Sequence, residues 1–298
     1  ARADVSLSNA MLCRPPVEFK AFMKALSFRN RRHRKDGRSQ WDSPVDCCRS
    51  RVNAELARSA AILTVGATAY ASVTGSAADE SGMMSMRGYP HFVGTTPILA
   101  TAHPAFVLRM KRWGELFITD VGKALRHAAG RLEWSDPEVM LDPSPSELKA
   151  ALLKLEGQVV AIDTETDGLA PETCNLRCVG LATKDFGVAV GFQSVETPAR
   201  IWRCPTELSR LMLATFLSRA GTPGGPKRIL VHNQVYDQPV LRRHDMPLPD
   251  VSRVVDTIML HKSADSEMPH DLDFLASHLT DAPKWKKTTH DAWESDLK

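Results

Sequence analysis

Several features that would identify a protein class are scarce or missing in this sequence. Six cysteines are spread over 298 residues, with one adjacent pair at Cys47 and Cys48, and this spacing is unlike a disulfide framework. A reducing compartment is therefore expected. No run approaches the ~20 apolar residues that a membrane helix needs, and no secretory signal opens the chain. The net charge of +3 is too small to prove a nucleic-acid partner, although it leaves one open.

What is present indicates a globular protein with room for two domains. The chain has 298 residues, of which 43% are hydrophobic and 24% charged. It begins with Ala1 rather than Met, and the first motif appears within ten residues, so we expect both ends to be cut from a longer protein. There is no internal repeat and no low-complexity segment.

Strands alternate with helical patterns in two blocks, which predicts two α/β domains. Residues 131–145 carry three prolines and four acids, and this composition indicates a linker. The predicted domains are therefore 1–130 and 146–298, with Ser146 as the expected cap of the helix that opens the second. The basic run 29–38 is either a solvated loop or a phosphate contact.

The stretch "VVAIDTETDGL" (159–169) drives a buried strand directly into acidic residues. Asp163 and Glu165 are two positions apart on an extended segment, so their side chains point to the same face. Two neighbouring carboxylates repel each other unless a divalent cation lies between them, and Mg²⁺ and Mn²⁺ favour such oxygen ligands. The alternative is an acidic turn that only caps the strand.

A second segment favours the metal interpretation. "ILVHNQVYDQPVLRRH" again leads an apolar strand into polar residues and places Asp237 one helical turn beyond Asn233. Asp237 could therefore reach back over the strand end toward the first pair of acids.

Taken in order, these motifs resemble the DEDD-type 3′–5′ exonuclease superfamily, which implies a ribonuclease H-like fold for the second domain. The segment 256–286, with Asp-Thr and then Leu-Asp-x-Leu-Ala, is similar to the proofreading domains joined to family A DNA polymerases. The resemblance covers roughly 146–298.

The resemblance implies hydrolysis of 3′-terminal phosphodiesters with two Mg²⁺ or Mn²⁺ ions. Asp163, Glu165 and Asp237 match the first three metal-binding and catalytic acids of the family. Asn233 would orient the strand end, and Leu169 would either wedge against the terminal base or pack in the core. Asp256 matches a position with a supporting role.

The fourth acid of the family has no convincing counterpart in the chain. His290 and Asp291 are adjacent, which is not the spacing of one helical face. We therefore expect this chain to bind metal poorly and to cut DNA slowly or not at all.

In the first block, polar residues follow the predicted strands. His103 lies between an apolar strand and Pro104, at a fixed turn. Asn9 also ends a strand, and its amide offers both a donor and an acceptor to a pyrimidine edge. Arg109 lies where it could contact a phosphate. A structural role is the alternative for the histidine.

These segments, "LSNAMLCRPP", "ILTVGATAYASVTG", "MSMRG" and "ATAHPAFVLR", resemble the uracil-DNA glycosylase superfamily, especially its family 4 iron–sulfur branch. The resemblance implies a three-layer α/β sandwich whose N-terminal part is missing. Asn9 would read uracil in an extruded nucleotide, and His103 would stabilise the departing base. Cys13 and Cys48 would be two of four ligands of a 4Fe–4S cluster that the full-length protein completes, or else small buried residues.

The preferred hypothesis is a bacterial or phage replication and repair protein in the cytoplasm. It would act on a single-stranded 3′ DNA end and on uracil-containing DNA, with a polymerase domain beyond Lys298 and no membrane contact. The alternatives are an RNA-processing 3′–5′ exonuclease and a non-catalytic DNA-binding module. Cys174, Cys178 and Cys204 are interpreted as structural residues.

Overall fold

The computed structural model describes residues 48–75, 80–192 and 202–284, which fall into two compact units. One unit comprises the chain up to Trp134 together with the segment from Asp273 onward, and the other runs from Ser135 to Leu272. Each contains a sheet and helices, which confirms the predicted α/β class.

The first unit contains a three-stranded sheet in the order β1-β3-β2. Strand β1 is parallel to β3, and β2 is antiparallel to β3. Its elements before residue 134 are α1 (Arg49–Leu56), β1 (Ile62–Val65), α2 (Ala67–Thr74), α3 (Glu80–Met86), β2 (His91–Val93), β3 (Thr96–Thr101), α4 (Pro104–Arg109) and α5 (Gly114–Ala128).

The second unit contains a six-stranded sheet in the order β4-β7-β6-β5-β8-β9. Strands β5, β6 and β7 form an antiparallel meander, and β8 and β9 continue the sheet parallel to β5. Apart from the edge strand β4, this is the ribonuclease H-like arrangement that the resemblance implied. The elements are β4 (Glu138–Leu141), α6 (Pro145–Leu155), β5 (Val159–Thr166), β6 (Leu176–Ala182), β7 (Phe186–Gly191), α7 (Thr206–Ser218), β8 (Arg228–Val231), α8 (Gln234–Arg243), β9 (Val254–Asp256) and α9 (Thr257–Ala264).

The entry into the second unit differs from the sequence prediction in two respects. Residues 138–141, within the expected linker, form β4 and pair in parallel with β7. Helix α6 begins two residues earlier than expected, because Ser144 and Glu147 form a capping box and Pro145 occupies the first turn. The predicted cap Ser146 is therefore wrong; its hydroxyl lies 3.2 Å from that of Ser144.

The core of the second unit is apolar. The sheet and the helices α6, α7 and α8 contribute to one continuous cluster of buried side chains, in which Val160, Leu181, Leu213 and Ile229 are almost fully shielded from solvent. Burial of such side chains supplies the main driving force for folding. No helix in the described ranges combines the length and apolar character needed to cross a membrane.

The first unit buries charged groups instead. Arg87, Asp120 and Lys123 are at most 2% exposed, and the Arg87 guanidinium lies 2.7 Å from the Asp120 carboxylate. Thr101 donates a second hydrogen bond to Asp120. Burial lowers the pKa of Lys123 to about 8, although nearby carboxylates act in the opposite direction. The apolar cluster beside this network is small and centres on Tyr70 and its neighbours.

The last described helix, α10 (Leu272–Leu279), completes this charged network. The Lys123 ammonium donates to the carbonyls of Ser277 and Thr280 at 2.6 Å, and Arg87 donates to the Ser277 hydroxyl. Gly88 is required here, because a Cβ at that position would lie 2.6 Å from the Ser277 carbonyl oxygen. Residues 273–284 were expected in the second domain, whereas the contacts assign them to the first unit.

Candidate active site

Strand β5 carries Asp163 and Glu165 on its exposed face. Burial alternates along the strand, so that Ile162 and Thr164 are buried while the two carboxylates are exposed. The side chains of positions 163 and 165 therefore share one face, as the spacing predicts. Their backbones pair with β6 at Gly180 and Cys178 respectively.

Asp237 lies beside the same strand, near the start of α8. It is 3% exposed, and its carboxylate accepts a hydrogen bond of 2.6 Å from the Thr164 hydroxyl. Burial raises the pKa of Asp237 to about 6, the Thr164 hydrogen bond opposes this shift, and the charge of Asp163 adds to it. The predicted third acid is thus electrostatically coupled to the first.

Asp256, at the end of β9, stabilises two helix starts at once. Its carboxylate accepts from the amides of Gln234, at the start of α8, and Ile258, at the start of α9, each at 2.8 Å. Burial would raise the pKa of Asp256, but these backbone hydrogen bonds hold it below its usual value. Asp256 therefore stabilises the starts of α8 and α9, and the supporting role in the site that the resemblance implied for it stays a prediction.

Asn233 precedes α8 in a left-handed conformation, with φ of 86°. Asparagine tolerates this region better than most residues do. The conformation turns the chain sharply between β8 and α8 and brings Asp237 back toward β5. Asn233 was predicted to orient the substrate end, and that role stays a prediction.

The loop after β5 is tied to α8 by a tyrosine that the sequence analysis overlooked as a site residue. The Tyr236 hydroxyl contacts the Thr166 hydroxyl and donates to the Gly168 carbonyl at 2.7 Å. Leu169 follows this anchor and is 95% exposed, so it does not pack in the core. A fixed loop that presents an exposed leucine suits the predicted wedge.

Asp167, the third acid of the segment 159–169, has a different structural role. Asp167 accepts hydrogen bonds from the side chain of Asn175 at 2.8 Å and from its backbone amide at 2.6 Å. These bonds lower the pKa of Asp167. Asp167 closes the loop between β5 and β6, and it is therefore a loop-stabilising residue rather than a member of the carboxylate pair.

Cys178 lies opposite Glu165 in the β5–β6 ladder, on the same face as the carboxylates. Burial raises the pKa of its thiol to about 11, and the charges of Glu165 and Asp163 contribute to the rise. The thiol therefore stays protonated at neutral pH. The proximity of Cys178 to these carboxylates depends on the pairing register of β5 and β6, which the sequence alone does not determine.

The chemistry of this donor set fits a hard divalent cation. Asp163, Glu165 and Asp237 offer carboxylate oxygens. Burial is the main cause of the raised pKa of Asp237 and the charge of Asp163 adds to it, and a bound cation would counter both effects. Within the described residues, however, no three acidic, histidine or cysteine side chains are already arranged as ligands. His290 and Asp291 lie outside the described residues.

In the first unit, His103 is exposed at the start of α4. Its Nδ1 accepts a hydrogen bond of 3.1 Å from the Ala105 amide, so a neutral ring carries its proton on Nε2. Gly66, with φ of 88°, passes close to the ring, and a Cβ there would lie 3.2 Å from that of His103. The free ring nitrogen is thus a hydrogen-bond donor that faces solvent. Arg109, at the end of the same helix, is also exposed.

Among the cysteines and the asparagine predicted as functional residues of the first block, Cys48 lies within the described residues. Asn9 and Cys13 lie outside the described residues. Cys48 is half-buried with a free thiol, while Cys174 and Cys204 are buried and free. The cluster ligands therefore stay a prediction.

The comparisons with known proteins agree with both motif sets. Residues 143–297 match the family model described as 3′-5′ exonuclease, and residues 1–126 match that of the uracil DNA glycosylase superfamily. No curated protein matches the chain.

Solved structures similar to this chain include an apo form of a nuclease (18% identity, TM-score 0.37, 51% of this chain and 64% of that chain). Brucella melitensis NrnC bound to pGG has 21% identity and a TM-score of 0.36 over 50% of this chain and 64% of that one. The Aedes aegypti Nibbler EXO domain has 16% identity and a TM-score of 0.33 over 46% and 61%. The chain spans less than two thirds of each of these proteins. Because the 3′-5′ exonuclease model matches more than half of its residues, the chain belongs to that family.

Proposed function

We propose that the second unit hydrolyses 3′-terminal phosphodiester bonds with divalent metal ions held by Asp163, Glu165 and Asp237. The observation that carries this proposal is the position of Asp237, which is hydrogen-bonded to Thr164 of β5, the strand that exposes Asp163 and Glu165 on one face. Bound Mg²⁺ or Mn²⁺ would supply a water nucleophile that is deprotonated near neutral pH and would neutralise charge on the leaving oxygen.

The residues of the chain position this chemistry. Thr164 holds the Asp237 carboxylate in place, and Asp256 fixes the start of α8, on which Asp237 lies. The Tyr236 anchor fixes the loop that presents Leu169 to the terminal base. Asn233, at the sharp turn before α8, contacts the 3′ end.

The proposed substrate is a single-stranded DNA end, and the proposed setting is proofreading for a polymerase domain of the same protein. The segment 256–286, which is similar to that of family A polymerase exonucleases, supports DNA over RNA. The rates of shortening of single-stranded DNA and RNA with the same 3′-terminal sequence distinguish the two substrates. Faster shortening of RNA would favour the RNA-processing alternative.

The test is Mn²⁺-dependent shortening of a 5′-labelled oligonucleotide by the wild type, Asp163→Ala and Asp185→Asn, with protein in excess over DNA so that the slow cutting expected of this chain is measurable. Asp185 is an exposed acid in the β6–β7 turn and serves as the matched control. Loss of a metal ligand should cost at least the roughly 10–100-fold that loss of an outer-shell partner costs. Equal activity of Asp163→Ala and the wild type would refute the assignment. Binding of DNA without shortening by any of the proteins would favour the non-catalytic module.

For the first unit we propose excision of uracil from DNA. The exposed Nε2–H donor of His103 suits stabilisation of negative charge on a departing base, because its tautomer is fixed by Ala105. Asn9 would read the extruded base, Arg109 would contact a phosphate, and Cys13 and Cys48 would contribute two of four ligands to an iron–sulfur cluster.

This second activity is measured as alkali-sensitive sites in a uracil-containing strand. His103→Ala should reduce the rate on the order of 10²–10³-fold, as loss of one oxyanion donor does. Leu108→Ala, at an exposed position of the same helix, is the control. Equal rates for His103→Ala and the wild type would contradict the assigned role.

A further inference from the structure

A basic cleft lies at the end of the second sheet where its parallel strands begin. The cleft is shallow and open to solvent, with a volume of about 340 Å³, and its walls come from three segments that precede β5, β8 and β9. These segments are the turn Glu156–Gly157, the loop 221–227 and the short helix that ends at Arg253. Asp163 and Glu165 lie in the second half of β5, so the cleft is separate from the candidate active site.

The distance between the two sites follows from the strand. Val159, the first residue of β5, lies four residues before Asp163. At about 3.3 Å per residue, this separation is about 13 Å. A ligand in the cleft would therefore not compete with the carboxylates for the same atoms.

The wall of the cleft is a rigid loop. The Gly221 amide donates to the Pro226 carbonyl at 2.7 Å, and the Gly157 amide donates to the Gly225 carbonyl at 2.9 Å. The Gly224 amide donates to the Glu156 carboxylate at 2.6 Å. These amides are already used, so recognition of a ligand falls to the side chains.

Two arginines lie against the glycines of this loop. A Cβ on Gly221 would lie 2.6 Å from the guanidinium carbon of Arg253, and a Cβ on Gly224 would lie 2.7 Å from a guanidinium nitrogen of Arg219. Both glycines also have positive φ. Because Gly221 and Gly224 have no side chains, the guanidinium groups of Arg253 and Arg219 pack directly against the loop backbone. This packing restricts the conformations of the two arginine side chains before any ligand binds.

Cations outnumber acids around the cleft. Lys227 and Arg253 line it and are exposed, and the exposed Arg219 lies beside it against Gly224. Glu156 is the acid of the lining, and its carboxylate keeps its charge while it accepts a hydrogen bond from the Gly224 amide. Arg228 follows Lys227 and adds a fourth exposed cation at this edge.

We propose that this cleft binds the phosphodiester backbone of single-stranded nucleic acid, as a second contact for the strand whose 3′ end is hydrolysed. The proposal rests on the proposed nuclease function of the same unit. Planar guanidinium groups and an ammonium bind phosphate through charge-assisted hydrogen bonds. A polyanionic substrate gains affinity from such cations without sequence preference.

The test uses the full chain in EDTA, so that binding is measured without metal and without hydrolysis. Fluorescence anisotropy follows a labelled single-stranded oligothymidylate as the salt concentration is varied. The double variant Lys227→Gln/Arg253→Gln should lower the salt slope of the binding constant by about 1.4, since each lost single-strand phosphate contact removes about 0.7. Lys149→Gln, an exposed cation of α6 outside the cleft, should leave the slope unchanged.

Three further variants, Arg253→Lys, Arg253→Gln and Asp163→Ala, keep the outcome interpretable. Arg253→Lys retains the charge and should recover most of the affinity that Arg253→Gln loses. The double variant should lower the salt slope equally in the wild-type and Asp163→Ala backgrounds, so a failed nuclease assignment and a failed cleft assignment give different results. Circular dichroism establishes that each variant is folded.

Three results would overturn the proposal. One is an unchanged salt slope in the folded double variant, and another is an equal decrease in Lys149→Gln. The third is equally tight binding of inorganic phosphate or of duplex DNA that shows the same sensitivity to the double variant.

Discussion

The two units of this chain are stabilised by different kinds of buried contact. The second unit buries a continuous apolar cluster beneath its six-stranded sheet, whereas the first relies on a small apolar cluster and on the buried charges of Arg87, Asp120 and Lys123. An apolar core loses stability gradually as volume is removed. A buried charge network depends on every partner, because any group that is left unpaired keeps its full desolvation cost. The first unit should therefore be the more fragile of the two.

The largest effect is expected from removing the segment after Leu272. This truncation deletes the Ser277 and Thr280 carbonyls that accept from Lys123 and the hydroxyl that accepts from Arg87. We expect the first unit to lose cooperative unfolding while the second keeps its own transition, as measured by hydrogen exchange. Full protection of β1 and β3 in the truncated chain would show that α10 is dispensable.

A smaller but still large loss is expected for Asp120→Ala. The substitution leaves the buried Arg87 guanidinium without its carboxylate, which should cost about 3–5 kcal/mol of unfolding free energy in the first unit. Glu138→Ala removes an exposed partner of Lys154 and should cost less than about 1 kcal/mol in the second unit. Denaturant titration measures both. Equal losses would erase the proposed difference between the units.

Leu213→Ala tests the contribution of the apolar core to the stability of the second unit. This side chain is fully buried in α7, so its truncation should cost about 2–5 kcal/mol through lost burial and a residual cavity. The loss should appear in the second unit alone, and the exchange rates of β1 and β3 should not change. A loss below about 1 kcal/mol would indicate a loosely packed core.

Asp237 should reduce the stability of the metal-free second unit. Its pKa is about 6 when folded and 3.8 in the reference state, so the folded chain holds a proton that the unfolded chain releases. The unfolding free energy therefore falls as pH rises from about 4 to 6, by roughly 2 kcal/mol. Asp237→Asn keeps an oxygen for Thr164 and should lack this fall, so it should be the more stable protein at pH 7 without metal. Identical pH profiles for the two proteins would contradict the raised pKa of Asp237.

Much of the second unit could be predicted from local sequence. The buried runs of β5 and β8 end in polar residues, and strand alternation alone places Asp163 and Glu165 on one face. The edge strand β4 could not be predicted from local sequence, because prolines and acids in its segment indicate a linker. Its extended conformation depends on pairing with β7. The hydrogen bond between Thr164 and Asp237 joins residues that are distant in sequence, and no local pattern encodes it.

The buried charges of the first unit could not be predicted from local sequence, for a physical reason. Asp120 and Lys123 lie on a helix whose charges look like a solvated face, and only the packing of α5 against distant segments shows that they are buried. The motif of α10 resembles an exonuclease helix, yet its contacts lie in the first unit. Tertiary partners, rather than propensity, decide both cases.

Anomalous scattering from crystals of the chain soaked in Mn²⁺ would locate a bound metal ion. We expect a manganese peak within ligand distance of the Asp163 and Glu165 carboxylates and beside Asp237. The peak should disappear in Asp163→Ala. A peak elsewhere, or the same peak in the variant, would contradict the assignment of these three acids.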